Sequence, residues 1–398
     1  MRSRRRRRRR RARLPAAAPL EDDDLLCEIL LRLPPQPSSL PRASLVCKRW
    51  RGLVSDPGFF RRFRLHHRRN PPLLGFFGCF DGLSFLPTLE TPNRVPPERF
   101  SLQRDEDYDH AVSLGCRDGL MLIFLRKLPE VLVWDPVIGD QHRIAIPAAL
   151  DTKRNRINGA VLRPAGDAGH FQVVMVVADG DDERHIQATA CVYSSKTGLW
   201  GNLISTPIPY QASDRPYHNP TMVCMEDAVL AGDSLHWELI GNMAGILEFD
   251  LEKQSLAVIR VSVDIYGQGN CFKVMRAEGG GLGLLVLSDS DYTAQLWKRK
   301  TDCEGVASWE PGRTIELDML RSLRSSEEIG PLYILGYAEQ NNVVFLNTDN
   351  DVWMIQLESL KFKYFVKARV FHSYHPFESV YSAGTCVGGG HGGAALVR

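Results

Sequence analysis

The stretch that decides the fold of the first sixty residues is DLLCEILLRLP, residues 24–34. At about 100° per residue, Asp24, Glu28 and Arg32 fall on one narrow stripe, with Glu28 placed to pair with Arg32. The rest of the circumference is apolar, which is wider than the roughly 100° stripe that a surface helix needs against its own core. The sequence therefore predicts a helix with two surfaces to bury, one against its own domain and one against a partner.

The residues that follow predict two more helices. Asp22–Asp24 are suited to cap the first helix, and Pro34 and Pro35 end it. Residues 43–54, ASLVCKRWRGLV, have a helical apolar face made of Leu45, Val46, Trp50, Leu53 and Val54. A further helix is expected to begin with Asp56 as its N-cap and Pro57 in its first turn. Together these segments predict an all-α module over residues 20–66, near the lower size limit for independent folding.

From about residue 73 the pattern changes to short apolar runs separated by Gly, Pro and Asp, which is typical of β-strands. Examples are LMLIFL (120–125), SLHWEL (234–239), GLLVLSD (283–289) and NVVFLNT (342–348), and a short helical turn is expected near residues 318–324. Five tryptophans recur at a mean spacing near 50 residues, the size of a propeller blade: Trp134, Trp200, Trp237, Trp297 and Trp353. About 320 residues at that period predict six blades, or seven, with the tryptophans packed inside them.

The order of DLLCEIL, the RLP stop, ASLVCKRW and SDPGFF resembles the F-box motif over residues 20 to about 60. This resemblance implies binding to a Skp-family adaptor and, through it, to a cullin. Apolar anchors at helical spacing also suit a helix that binds in a partner's groove. The residues that match the motif are the candidate adaptor contacts: Leu20, Leu25, Ile29, Leu30, Leu33, Pro34, Leu45, Val46, Cys47 and Trp50.

The rest of the chain resembles the F-box-associated domain of plant, grass-like F-box proteins. The matching fragments include LLGFF (73–77), WDPVIG (134–139), VYSSKTGLW (192–200) and YHPFESVY (374–381). The resemblance implies a substrate-recognition subunit of a cullin-type ubiquitin ligase, whose β domain recruits a protein substrate for ubiquitination. The residues that would bind the substrate stay unknown, and the exposed stretches at 151–158 and 210–220 are only candidates.

The expected fold class is therefore α+β multidomain, with a small all-α F-box module before an all-β, degenerate six- to seven-bladed propeller-like domain. The expected divisions are a disordered Arg-rich tail, the F-box, a linker, the propeller-like domain and a Gly-rich tail: residues 1–19, 20–66, 67–72, 73–387 and 388–398.

Enzymatic motifs are missing from the sequence. GxxxxGK[ST], HExxH and GxSxG do not occur, and GGGLG (279–283) precedes a strand, so we expect a turn between blades there. The eleven histidines and nine cysteines lack metal-ligand spacing, and DGDDERH (179–185) is expected to be a hairpin tip. We therefore expect a non-catalytic protein with no cofactor and no metal. The alternative is a ligand-binding or catalytic propeller that the helical module only caps.

Charge is distributed unevenly along the chain. Residues 2–13 contain ten arginines, and the remaining chain has 39 Lys and Arg against 47 Asp and Glu, a net charge of −8. This Arg-rich tail has two interpretations: a patch for nuclear localisation or nucleic-acid binding, or an inert disordered segment. For the function of the whole protein, nucleic-acid binding through the tail is a third hypothesis, weaker than the ligase subunit and the ligand-binding propeller. An odd number of cysteines without C-x-x-C and no long apolar run indicate a nuclear or cytosolic protein that is not bound to a membrane.

Overall fold

The computed structural model describes residues 22–382 apart from thirteen internal segments. These segments are 80–82, 103–110, 151–156, 165–168, 181–184, 211–220, 242, 263–264, 266–270, 289–291, 323–331, 349–350 and 368–373. The predicted tails at residues 1–19 and 388–398 therefore lie outside the described residues.

Four helices make up the N-terminal module: α1 Asp23–Leu31, α2 Ser39–Ser44, α3 Lys48–Val54 and α4 Pro57–His66. Asp22 caps α1 by accepting hydrogen bonds from the backbone N–H groups of Asp24 at 2.9 Å and Leu25 at 3.2 Å. Asp56 caps α4, whose first residue is Pro57. Both predicted caps are confirmed, because each places a carboxylate where the first backbone donors of a helix lack partners.

Strands make up almost all of the regular secondary structure in the remaining described chain, in six antiparallel sheets. Their bounds are β1 Leu73–Cys79, β2 Leu83–Pro87, β3 Val112–Arg117, β4 Leu120–Leu125, β5 Glu130–Trp134, β6 Gln141–Ala145, β7 Ile157–Leu162, β8 Gln172–Gly180, β9 Ile186–Ser194, β10 Leu199–Trp200, β11 Ile204–Pro207, β12 Met222–Val223, β13 Val229–Ala231, β14 Ser234–Ile240, β15 Gly245–Asp250, β16 Ser255–Arg260, β17 Cys271–Arg276, β18 Leu282–Ser288, β19 Thr293–Thr301, β20 Ala307–Glu316, β21 Tyr333–Ala338, β22 Val343–Thr348, β23 Asp351–Gln356, β24 Lys361–Lys367 and β25 Tyr374–Glu378. Two short helical turns, Pro97–Phe100 and α5 Asp318–Ser322, interrupt them, and the second confirms the turn expected near 318–324.

The six sheets are the blades of a six-bladed β-propeller. Five are formed by consecutive strands, β3–β6, β7–β11, β12–β16, β17–β20 and β21–β24. The sixth joins the two ends of the domain, since β1 pairs with both β2 and the last strand, β25. This pairing closes the ring and leaves no first or last blade with an open side. Of the two predicted blade counts, six is confirmed.

Each of the five tryptophans lies in a different blade, as the repeat predicts, but on strands of different rank. Trp134 is on the third strand of its blade, Trp237 on a second strand and Trp200 on β10 at the outer side. Trp134 and Trp237 are 3% and 1% exposed, and the others pack against blade cores. The unequal ranks explain why the spacing along the sequence is irregular.

Two local predictions are wrong. Residues 43–54 are not one helix, because α2 ends at Ser44 and α3 begins at Lys48. The GGGLG segment does not join blades but forms the turn between β17 and β18 of one blade, where Gly279 and Gly280 have φ of +95° and +90°. Glycine suits that turn since side chains other than hydrogen disfavour positive φ.

Candidate functional site

Helix α1 buries one face and exposes another. Leu26 and Leu30, four residues apart, are both 0% exposed, and Leu31 is 5% exposed. Leu25 and Ile29, also four residues apart, lie on a different face and are 45% and 39% exposed. Because one turn of the helix brings each pair together, α1 has an inner and an outer apolar stripe. The two surfaces expected from DLLCEILLRLP are both present.

A second set of exposed apolar side chains lies at the break between α2 and α3. Leu45 and Val46 are 75% and 62% exposed, and Cys47 is also exposed. The single helix predicted here would have placed Leu45 and Val46 inward with Val54, which is 5% exposed. The chain instead turns after Ser44, where Leu45 donates to the Arg42 carbonyl at 3.2 Å and Val46 to the Ala43 carbonyl at 3.2 Å.

Ion pairs hold the helices of the module side by side. Arg49 Nε lies 2.7 Å from Asp23 Oδ1, which brings the start of α3 against the start of α1. Arg62 of α4 lies 3.1 Å from Glu28, and Arg32 lies 3.9 Å from the same carboxylate, so the predicted pair is present. All are exposed, so each pair adds about 0–1 kcal/mol. Leu25 and Ile29 on α1 and Leu45 and Val46 at the break before α3 are the exposed apolar side chains of these segments, and we call these four residues the apolar patch.

The ten residues expected to contact an adaptor fall into four groups. Leu25, Ile29, Pro34, Leu45, Val46 and Cys47 are exposed, whereas Leu33 and Trp50 are half-buried and pack on the core of the module. Leu30 is 0% exposed, so its assignment as a contact is corrected: it is a core residue. Leu20 lies outside the described residues. Whether the accessible members bind an adaptor stays a prediction.

Helix α4 joins the module to the propeller through a buried charge cluster that sequence reasoning missed. Arg64 Nη2 lies 2.9 Å from Asp135 Oδ2, and Arg163 Nη2 lies 3.1 Å from the same oxygen. The Asp135 side chain is only 2% exposed. Its other oxygen caps the β5–β6 turn by accepting from the N–H groups of Val137 at 3.1 Å and Ile138 at 3.3 Å. The sequence signal was available in the basic residues of α4 and the WDPVIG turn, but their proximity depends on the fold.

Apolar contacts reinforce this junction. Phe63 of α4 belongs to the same buried cluster as Phe77 of β1 and Phe377 of β25, together with Leu26 and Leu30 of α1. Arg68, just after α4, lies 3.1 Å from Asp118 of the β3–β4 turn. The helical module and the closing blade therefore share one continuous core. Residues 67–72, expected to be a linker, run between two elements that are packed on each other.

Polar side chains tie the blades together around the central channel. Ser113 of β3 lies 2.7 Å from His375 Nε2 of β25, and His375 Nδ1 bonds Asp227, just before β13. The order Ser–His–Asp matches the relay of acyl-transfer enzymes. However, Ser113 and His375 are 3% and 0% exposed, so a substrate has no access to the hydroxyl in this conformation. The geometry supports a link between three blades.

One group of potential metal ligands, Cys224, Glu226 and Glu238, lies at the channel within the described part of the chain. Lys273 already supplies a cation there: its ammonium contacts Glu226 and lies 3.2 Å from Glu238. Burial raises the pKa of Glu238 to about 7, although the Lys273 charge opposes that shift. The positive charge of the Lys273 ammonium therefore compensates part of the negative charge of Glu226 and Glu238.

The propeller has two ends with different connections. Because antiparallel strands alternate in direction, the turns β3–β4 and β5–β6 lie at one end, with α4. The connections between blades lie at the opposite end. The two candidate substrate stretches, 151–158 and 210–220, connect β6 to β7 and β11 to β12. Residues 151–156 and 211–220 of these stretches lie outside the described residues, and the strands that flank them, β6, β7, β11 and β12, meet the stretches at the end opposite α4.

Comparisons with known families agree with this architecture. The F-box domain family matches residues 22–62, which cover α1–α3 and the first part of α4. The family described as F-box protein AT5G49610-like, beta-propeller, matches residues 113–382, which is more than half of the chain. The fold and the two matches define an F-box protein with a β-propeller. The chain belongs to the AT5G49610-like β-propeller family of F-box proteins.

Among individual proteins, the chain is 26% identical over 188 residues to At3g16210 of Arabidopsis thaliana, which is named as an F-box protein. The alignment covers 47% of this chain and 48% of that protein, so the chain spans about half the length of the curated relative it matches. This relative agrees with the expected plant F-box protein.

Solved structures give only a distant likeness. A luciferin-regenerating enzyme is 8% identical with a TM-score of 0.33, covering 68% of this chain and 78% of the other. The hemagglutinin-neuraminidase of Parainfluenza Virus 5 is also 8% identical with a TM-score of 0.33, covering 79% and 85%. Likeness at this level says nothing about activity. Within the described residues, no helix is long and apolar enough to cross a membrane.

Proposed function

We propose that this chain is the substrate-recognition subunit of a cullin-based ubiquitin ligase. In this proposal the F-box module binds a Skp-family adaptor, and the propeller recruits a protein substrate for ubiquitination. The observation that carries the proposal is the apolar patch, which remains exposed on the F-box module of a chain whose family is named for that module. Exposed apolar side chains that lie together are typical of protein-binding surfaces.

The chemistry of the patch favours a helical or grooved protein partner. Leu25 and Ile29 are one helical turn apart, which is the spacing of anchors that enter an apolar groove. Leu45 and Val46 add two more exposed apolar side chains at the break between α2 and α3. The half-buried Trp50 is a residue type that often contributes strongly to interface affinity, and it would lie at the inner edge of this contact.

Substrate recruitment is proposed for the end of the propeller opposite α4. The long connections between blades are attached there, and loops on a rigid scaffold commonly carry recognition. This arrangement separates the two proposed partners, since the adaptor would approach the helical module and the substrate the other end of the ring.

Co-purification of the full chain with a Skp-family adaptor tests the proposal. An Ile29→Asp, Leu45→Asp double variant should lose at least tenfold in affinity while keeping the circular dichroism spectrum and melting temperature of the parent chain. Val306→Asp is the matched control, because Val306 is 59% exposed and lies on the propeller. Failure of the intact chain to bind any Skp-family adaptor, or equal binding by the double variant, would contradict the proposal.

We propose further that the chain is not itself catalytic and acts in the nucleus or cytosol. Support for the first part comes from the burial of Ser113 and His375, the pair that most resembles an enzyme relay. The second part concerns the Arg-rich segment 2–13 and is tested with a fluorescent fusion: removal of residues 2–13 should shift the protein out of the nucleus if the segment is a nuclear signal. Unchanged distribution would refute that role.

A further inference from the structure

A cavity of about 1050 Å³ lies where α4 meets the end of the propeller channel. Its walls come from α4, from the β3–β4 and β5–β6 turns and from strand β25. The volume is at the upper end of the range of pockets that hold small molecules. The cavity is formed by both domains and lies at the opposite end from the proposed substrate loops.

Arginines line the part of the cavity next to α4, which we call the mouth. Arg61 and Arg64 are three residues apart and share one face of α4, which Arg68 continues just beyond the helix, and Arg163 approaches from the end of β7. Arg64 and Arg163 share the Asp135 carboxylate, while Arg68 pairs with Asp118. Arg61 is exposed and forms no ion pair with the other described residues. Four guanidinium groups are therefore balanced by only two paired carboxylates, the buried Asp135 and the partly buried Asp118.

The electrostatic effect of this crowding is visible at Arg163. Burial lowers the pKa of its guanidinium, and the positive charges of Arg64 and Arg68 lower it further, whereas Asp135 and Asp118 act in the opposite direction. Like charges held this close in a partly buried site are stabilised by any anion that enters between them. Guanidinium groups also bind phosphate and carboxylate in a bidentate manner.

Acidic side chains line another part of the cavity, formed by the propeller alone, which we call the floor. Glu226 and Glu339 line it, paired with Lys273 and Arg117. Glu378 lines it too, and burial raises the pKa of its carboxyl to about 7. An anion is therefore better placed beside Arg61, which pairs with no described carboxylate, than beside these carboxylates. Carboxylate oxygens at the floor are acceptors for hydroxyl or amino groups.

We propose that this cavity binds a small molecule that carries a phosphate or carboxylate group, held by Arg61, Arg64 and Arg163, with hydroxyl or amino groups directed toward the acidic floor. Such a ligand would contact α4 and the propeller at once, and would stabilise the junction between the F-box module and the blades. This site is separate from the apolar patch and is not needed for adaptor binding.

Thermal unfolding of the full chain, titrated with inorganic phosphate, acetate or chloride at constant ionic strength, tests the proposal. We expect a saturable rise in melting temperature with phosphate or acetate but not with chloride, since a ligand that binds only the folded state stabilises it. The two oxyanion arms distinguish a phosphate ligand from a carboxylate one. Equilibrium dialysis with radiolabelled phosphate gives the dissociation constant directly.

Three variants make the test specific. Arg61→Gln should weaken oxyanion binding about tenfold or more, which is the loss expected for one charge-assisted hydrogen bond. Arg62→Gln is the matched control, because Arg62 is the next residue of α4 but pairs with Glu28 outside the cavity. Asp135→Asn keeps a turn-capping oxygen and removes the shared counter-charge, so it should tighten binding.

Each outcome decides the proposal. Equal effects of phosphate, acetate and chloride, or equal weakening by Arg61→Gln and Arg62→Gln, would show a general salt effect and overturn it. Undiminished binding by Arg61→Gln would also overturn it. Adaptor binding measured on Arg61→Gln should equal that of the parent chain, which keeps this site distinct from the proposed ligase function.

Discussion

Leu45 and Val46 of the helical module are 75% and 62% exposed, whereas all six residues of β4 in the propeller, Leu120–Leu125, are buried. The difference reflects how each part can cover its apolar side chains. Sheets in a ring are packed between two neighbours, so both faces of an inner strand are buried. A module of about 45 residues lacks the volume to bury all its apolar surface. The apolar surface left over is what makes the helical module suited to binding another protein.

The two parts are nevertheless joined by a buried charge cluster rather than by a flexible connection. Asp135 on the propeller side pairs with Arg64 of α4 and with Arg163, the residue just after β7. Two arginines can share this carboxylate only while α4 packs over the β5–β6 turn. The stability that the ion pairs add therefore reports on the coupling between the helical module and the propeller. Three predictions examine the contrast between the exposed module and the closed ring.

The largest effect is expected from Asp135→Ala. Removal of one partner from a buried ion pair costs about 3–5 kcal/mol, since the remaining charges stay buried without compensation. Here two arginines lose their shared carboxylate and the β5–β6 turn loses its cap. Chemical denaturation of the full chain gives the free energy of unfolding. Asp140→Ala, which removes an exposed carboxylate in the same turn, is the control. Equal losses of unfolding free energy in the two variants would contradict a stabilising role of the Asp135 ion pairs.

A slightly smaller loss of stability is expected when a buried leucine of the module is truncated, and almost none when an exposed leucine is truncated. Leu30→Ala should lower the free energy of unfolding by about 2–5 kcal/mol, because Leu30 is fully buried and its removal leaves a cavity. Leu45→Ala should change it by less than about 0.5 kcal/mol, because Leu45 is 75% exposed. The proposed adaptor affinity should behave differently, with Leu45→Ala weakening it in a chain that stays folded. Similar stability losses in the two variants would show that Leu45 is buried in solution.

The third prediction is a pH dependence of stability that arises in the propeller. Burial raises the pKa of Glu378 to about 7 in the folded chain, against an ordinary value of 4.5, while hydrogen bonds from Gln340 and Asn341 oppose the shift. Between these values the folded state binds more protons than the unfolded one. The contribution of Glu378 to stability is therefore present below about pH 4.5 and declines as pH rises through 7, by up to about 1.4 kcal/mol per pH unit.

Denaturation of the parent chain and of Glu378→Gln from pH 5 to pH 8 measures this contribution. The difference between the two unfolding free energies should change over the interval, with the parent losing stability relative to the variant as pH rises. A constant difference would place the pKa of Glu378 near its ordinary value. Leu45→Ala serves as a control variant from the helical module, and its pH profile should run parallel to that of the parent chain.

Local rules account for much of what was predicted correctly. Asp22 and Asp56 were identified as caps because a carboxylate before a helix can accept from its first free N–H groups. LMLIFL was identified as a strand, and the structure has a strand over the same residues. The wrong predictions concern packing. Leu30 and Leu45 are both apolar and both on a predicted helical face, yet one is 0% and the other 75% exposed.

The sequence by itself determined the order of the domains, the caps, the strands and the family resemblance, since these depend on residues that are close along the chain. Only the tertiary structure decided which leucines of the module face inward, that β25 closes the ring on β1, and that Arg64, Asp135 and Arg163 meet at one point. Such contacts join residues that are far apart along the chain: Asp135 and Arg163 are 28 positions apart, and Arg64 and Asp135 are 71 positions apart. Periodicity gives the face of an element, but which neighbour covers that face is settled when the elements pack together.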